Sequence, residues 1–151
     1  MPSVDVTSKV SRLNGVNSDA NYVHTDAYRL PIMTLGISGY GDNHPFAVLP
    51  KGRAITRVTV IALESVTSSG SATAQICVKH GSASAVGLHT AIGKANLAAG
   101  MVNVAEVAAK TAYSNTEEGV LSLLVGTADL TAGEILVLVD SIPVGKFLSN
   151  G

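Results

Sequence analysis

The sequence predicts an all-β fold: an antiparallel β-sandwich or jelly roll with an extended N-terminal arm. Three observations predict it. In Ala72–His80, Ala72, Ala74, Ile76 and Val78 alternate with Thr73, Gln75, Cys77 and Lys79, the period of a strand with one wet face. β-branched and aliphatic runs recur at Arg53–Val66, Val120–Val125 and Gly133–Asp140, separated by small polar turn residues. No segment holds a long helical period, and no repeat of fixed length is evident.

Taken in order, residues 1–27 form the arm, 28–143 the sandwich and 144–151 a tail. The arm is polar, with scattered Val4, Val6, Val10, Leu13, Val16, Tyr22 and Val23, and turn signals at Asn14-Gly15 and Asn17-Ser18-Asp19. Its valines and low charge favour an extended segment lying on a surface; an unstructured terminus is the competing reading. Tyr28–Ile37 reads as an edge strand, because Pro31 cannot donate to a ladder. Ser38–Pro45 reads as a loop and Phe46–Leu49 as a short apolar stretch. Pro50-Lys51-Gly52 turns the chain into Arg53–Val66.

That run and Ala72–His80 flank Thr67-Ser68-Ser69-Gly70-Ser71, which predicts an antiparallel hairpin. Alternation in the first run is imperfect: Val58, Val60 and Ala62 share a face, while Ile61 and Leu63 take the other. The strand is covered on both sides, or a bulge shifts its phase near Val60. Gly81–Gly87 is a loop, Leu88–Leu97 has weak strand character, and Met101–Ala112 reads as a short strand. Ile135-Leu-Val-Leu-Val139 is apolar on both faces, so it is central and covered, or it faces a partner. Phe147 and Leu148 in the tail are placed to dock on a neighbour.

Composition narrows the function. Charged residues are 14% of the chain, against roughly 25% in an average soluble domain. So little charge points to a surface partly covered by other subunits; a monomer coated with Ser, Thr, Asn and Gly is the competing reading. The net charge is −1 with no basic run, which argues against a nucleic-acid footprint. One cysteine excludes an internal disulfide and a multi-cysteine metal site. Cys77 reads as a small packed residue facing a second layer or a neighbouring subunit. The start has no secretory pattern, and no run approaches a membrane span, so a protein made and soluble in a cytosol is expected.

No constellation carries chemistry. His24, His44, His80 and His89 are not at metal-ligand spacing; Asp42 and His44 alone make no site, and His80 is expected to face solvent. Ser38 lies in Gly36-Ile37-Ser38-Gly39, the wrong spacing for a nucleophile elbow. Glu117 and Glu118 are adjacent, the wrong geometry for an acid/base pair, although Asp129 or Glu134 could converge with one of them; they read as solvated turn charges. Gly39-Tyr40-Gly41 lacks the strand and helix of a phosphate cradle. There is no tryptophan, and Tyr22, Tyr28, Tyr40 and Tyr113 do not cluster on a strand face, which counts against a sugar-stacking surface. No catalytic, cofactor-binding or metal-binding residue is assigned.

Leu49-Pro50-Lys51-Gly52 leads into Ile55-Thr56-Arg57-Val58-Thr59-Val60. A Gly/Ser-rich turn and Ala72–Val78 follow, and Ala128-Asp-Leu-Thr-Ala-Gly133 runs into Ile135–Val139. Over Val48–Val139 this resembles the small β-sandwich head decoration, or cement, proteins of tailed bacteriophages; residues 1–47 match no motif. The resemblance implies a non-enzymatic virion protein on the outer surface of the capsid, made in the bacterial host cytoplasm. Its partners would be the major capsid protein and itself, as a homotrimer or a dimer, with no direct contact to nucleic acid or membrane. Candidate interface residues are Val4, Val6, Val10, Leu13, Tyr22, Phe147 and Leu148. Apolar strand faces would join copies, and the arm and loops at one rim would lie across the seam between capsid subunits. A receptor- or glycan-binding module of a tail or head fibre is the alternative.

Overall fold

The structure, a computed structural model, describes residues 23–107 and 116–143. It is built from two antiparallel sheets packed face to face. The strands are β1 (His24–Pro31), β2 (Asn43–Leu49), β3 (Ala54–Ser68), β4 (Thr73–His80), β5 (Val86–Gly87), β6 (Ile92–Gly93), β7 (Val102–Glu106), β8 (Gly119–Gly126) and β9 (Leu130–Ile142). Sheet A has the order β1-β9-β3-β7; sheet B has the order β2-β8-β4-β5, with β6 also on β4.

The pairing is nested. β4 pairs with β5 and β6, β3 with β7, β2 with β8, and β1 with β9. The chain is thus one long antiparallel hairpin, rolled until β9 also meets β3 and β8 also meets β4. This is the jelly-roll solution to burying two one-sided sheets against each other.

The nesting overturns the predicted hairpin. β3 and β4 lie in different sheets, so Ser69–Ala72 carries the chain across the sandwich instead of turning it back beside itself. The β8–β9 connection crosses in the same way. Gly133, at the start of the last strand, has φ +123°, and a Cβ there would stand 2.7 Å from Val66 Cα and 2.9 Å from Ser65 O. The backbones of β3 and β9 touch at this point, and only glycine fits.

Alternation supplies the core. Val58, Val60 and Ala62 of β3 and Ile135, Val137 and Val139 of β9 face Ala74, Ile76 and Val78 of β4 and Leu121, Leu123 and Val125 of β8; all are buried. β3 keeps its phase through Val60. Its register shifts fall at Ile55/Arg57 and beyond Ala62. β9 is central in sheet A, as its two apolar faces suggest, with Leu136 and Leu138 half-buried on the outside. β1 is an edge strand, but it starts at His24, four residues before Tyr28, and ends at Pro31, where a four-residue helical turn, Ile32–Leu35, takes over. β2 begins at Asn43, so the loop before it is shorter than Ser38–Pro45.

Four connections gather at one end: β1–β2, β3–β4, β6–β7 and β8–β9. They are tied together by Leu130 N–H to Ser38 O at 2.9 Å, Ser68 Oγ–H to Asp129 O at 2.7 Å, Tyr40 N–H to an Asp129 carboxylate oxygen at 2.9 Å, and Lys94 Nζ–H to Ser68 O at 2.9 Å. The opposite end carries the Pro50–Arg53 turn, the β4–β5 loop, the start of β1 and the end of β9. Val23 and Pro143, the first and last described residues, therefore both lie at this second end.

Candidate interaction surfaces

Register fixes what each sheet shows to the outside. On sheet A, Thr25, Ala27 and Arg29 of β1 lie beside Asp140, Leu138 and Leu136 of β9. These in turn lie beside Arg57, Thr59 and Ile61 of β3, and then Glu106, Val104 and Val102 of β7. The result is a two-row apolar band across the sheet. Leu136, Leu138 and Ile61 are half-buried, while Val102 and Val104 are 56% and 58% exposed. Leu63, two residues beyond Ile61, and Met101, just before Val102, are exposed as well.

Charge closes both ends of the band. At one end Arg57 Nε donates to Glu106 at 3.1 Å, and Thr25 Oγ1 donates to Asp140 at 2.7 Å. At the other end Arg29 pairs with Glu134, whose carboxylate is nearly buried, and Glu64 stands near enough to raise the Arg29 pKa further. An aliphatic band, crossed by Thr59 and rimmed by charge, is the form of a protein contact surface.

A second surface is the seam where β1 and β2, the edges of the two sheets, stand opposite each other. Tyr28 and Phe46 bridge it, edge to face, with ring centroids 5.4 Å apart. Burial and the Asp26 carboxylate push the Tyr28 phenol upward in pKa. Beside them runs an open groove of about 480 Å³ lined by Leu30, Leu35, Ile37 and Pro45 among others. Leu35 is half exposed there.

The residues weighed for chemistry lie apart. His24 Nε2 is 3.0 Å from Asp26 on the exposed start of β1, and His44 Nε2 is 2.8 Å from Gly39 O. His80 is half-buried against Gly119, not turned to solvent as expected. His89 is a structural group: Nε2 accepts the Ile76 N–H at 2.9 Å, and Nδ1–H donates to Thr90 O at 2.7 Å. These bonds fix the neutral tautomer, and burial lowers the pKa of the ring. Cys77 is buried, its thiol pKa raised by desolvation, and the Gln75 side chain shields it. The layer that covers it belongs to its own chain. Among the described residues, no three His, Cys, Asp or Glu side chains gather as a metal site. Tyr28 and Tyr40 are separated, one in the seam and one at the tied end of the sandwich. No helix among the described residues is long and apolar enough to cross a membrane.

Val4, Val6, Val10, Leu13, Tyr22, Phe147 and Leu148 lie outside the described residues. The apolar band of sheet A was not singled out from the sequence. Val102 and Val104 were legible as a strand, but only the β3–β7 and β3–β9 registers bring them beside Ile61, Leu136 and Leu138.

No protein-family model matches the chain, and no curated protein matches it. Solved structures do. A chain described as the capsid of Ralstonia phage GP4 superposes with a TM-score of 0.57 at 14% identity, over 88% of this chain and 92% of that one. A chain of the cyanophage Pam1 capsid asymmetric unit superposes with a TM-score of 0.52 at 13% identity, over 95% of this chain and all of that one. At these identities the likeness is one of fold: this chain shares the two-sheet architecture of chains found in phage capsids.

Proposed function

We propose that the protein is a structural component of a phage virion, and specifically a decoration, or cement, protein on the outer surface of the head. The observation that carries this reading is the charge-rimmed apolar band on sheet A, set on a fold shared with chains of two phage capsids. An adhesive protein needs a rigid body, a face for sister copies and a rim for the shell. The jelly roll supplies the body. The band of sheet A joins copies to one another, as a homotrimer or a dimer.

The end that holds Val23 and Pro143 faces the major capsid protein. Val4, Val6, Val10, Leu13 and Tyr22 before β1, and Phe147 and Leu148 after β9, are the proposed interface residues, divided between sister copies and the shell. Each contact can be weak, because an oligomer bound at several equivalent sites gains by multivalency. The added interface must be broken before the shell expands under the pressure of packaged DNA. The role is mechanical: it requires no enzyme activity, metal or cofactor, and no contact with nucleic acid or membrane.

The test is co-sedimentation of purified protein with mature heads stripped of it, followed by electron microscopy of the complex. Saturable binding with density across capsomer joints is expected. Failure to bind mature heads overturns the reading. Binding to a glycan array without binding to heads would favour the receptor-module alternative.

A further inference from the structure

The four sheet edges are not equivalent. β5 and β6 are two residues each, and β7 is five. β2 has Pro45 in its interior and a register shift between Pro45 and Ala47. Short strands, proline and bulges are the usual devices that stop an edge from pairing with another chain. β1 carries no bulge, and its one proline, Pro31, closes the ladder instead of interrupting it: eight residues run in unbroken register on β9, from His24 opposite Ser141 to Pro31 opposite Glu134. No backbone hydrogen bond joins its other side to a described residue. Among the described residues β1 is thus the one long, regular edge left open, and the apolar seam groove runs alongside it.

We propose that this edge accepts Val4–Val10 of a second copy as an added antiparallel strand. The inference rests on the reading that copies associate. The register that places Asp5 opposite Arg29 sets an acid against a base and ends with Val10 opposite His24. Val4 then falls opposite Leu30 and Val6 opposite Tyr28, on the groove side. Ser8 falls opposite Asp26 and can donate to its carboxylate. On the outer side Thr7 meets Ala27, and Lys9 meets Thr25 beside Asp140, its cation entering a margin rich in acids. Residues 11–23 connect this segment to β1. Fully extended they span about 43 Å at roughly 3.3 Å per residue, enough to reach a neighbour. Passing the segment from each copy to the next is a head-to-tail contact, which closes into a ring as a trimer requires.

The test is a disulfide trap in the full-length protein with Cys77→Ala. Thr7→Cys combined with Ala27→Cys is expected to give covalent dimers and trimers on non-reducing gels after mild oxidation, which neither single variant gives. Ser8→Cys with Ala27→Cys is expected to give none, because Ser8 falls on the opposite face. A disulfide confined to single chains, no disulfide, or equal trapping by Ser8 would each overturn the proposal. Head binding by a protein that shows no such link would leave the decoration reading standing and remove only this one.

Discussion

The double substitution Val102→Lys/Val104→Lys separates association from folding. Full burial of a valine side chain is worth about 1.5–3 kcal/mol. Val102 and Val104 are 56% and 58% exposed on sheet A, so each has somewhat more than half of that still to gain, about 1 kcal/mol. Losing both from a contact between copies removes about 2 kcal/mol, or roughly thirty-fold in the dissociation constant. Two ammonium groups that must be desolvated push the effect beyond that figure. Folding should hardly change: both side chains point outward on an edge strand, where surface substitutions usually stay within about 0.5 kcal/mol, and lysine is a common edge residue. Sedimentation equilibrium across a concentration series should show the variant dissociating at concentrations where the parent is assembled, with matching melting curves under dissociating conditions. A variant that keeps the parent's mass at every concentration, or a parent that is monomeric throughout, would refute the assignment of this band as the contact between copies.

Three further outcomes follow from the packing. Gly133→Ala forces a Cβ to 2.7 Å from Val66 Cα at a φ of +123°. Strain and overpacking of about 1–3 kcal/mol each should appear as a lower urea midpoint, whereas Gly93→Ala, in open space at negative φ, should move it far less. His89 is held neutral, its pKa below the 6.5 of a free imidazole. The unfolded chain therefore binds the proton first as pH falls. The His89 contribution is fully present above 6.5 and erodes as pH drops below it, toward the depressed folded value. Denaturant melts between pH 7.5 and 5 should show that loss, and His89→Gln should flatten it. Cys77, buried and raised in pKa, should resist thiol reagents in the native protein and react promptly in denaturant; rapid native labelling would show that the Gln75 cover opens.

The faces of the strands were legible in the sequence, and their partners were not. Ala74, Ile76 and Val78 announced the buried face of β4 by period alone, and the doubly apolar Ile135–Val139 announced a central strand. Alternation says which way a side chain points and nothing about which strand lies beside it. In a nested roll-up, strands adjacent in sequence go to opposite sheets, so the short polar break at Thr67–Ser71 looked like a hairpin turn while it carries the chain across the sandwich. His24–Ala27 escaped notice as strand because its polar and charged residues occupy a rim, where the sandwich has no apolar face to announce. The apolar band was illegible for the same reason as the pairing: Val102, Val104, Ile61, Leu136 and Leu138 come from three strands, and only register assembles them. Gly133 carried a local signal in Leu130-Thr-Ala-Gly133, and the close approach of β3 supplies its cause.

The most direct measurement of the cementing role is the temperature at which heads release their DNA, with and without the protein bound. Heads restored with the protein should withstand higher temperature than bare heads, and protein carrying Val102→Lys/Val104→Lys should recover only part of the difference. Identical release temperatures for bare and fully decorated heads would contradict the account, whatever the affinity of the protein for the shell.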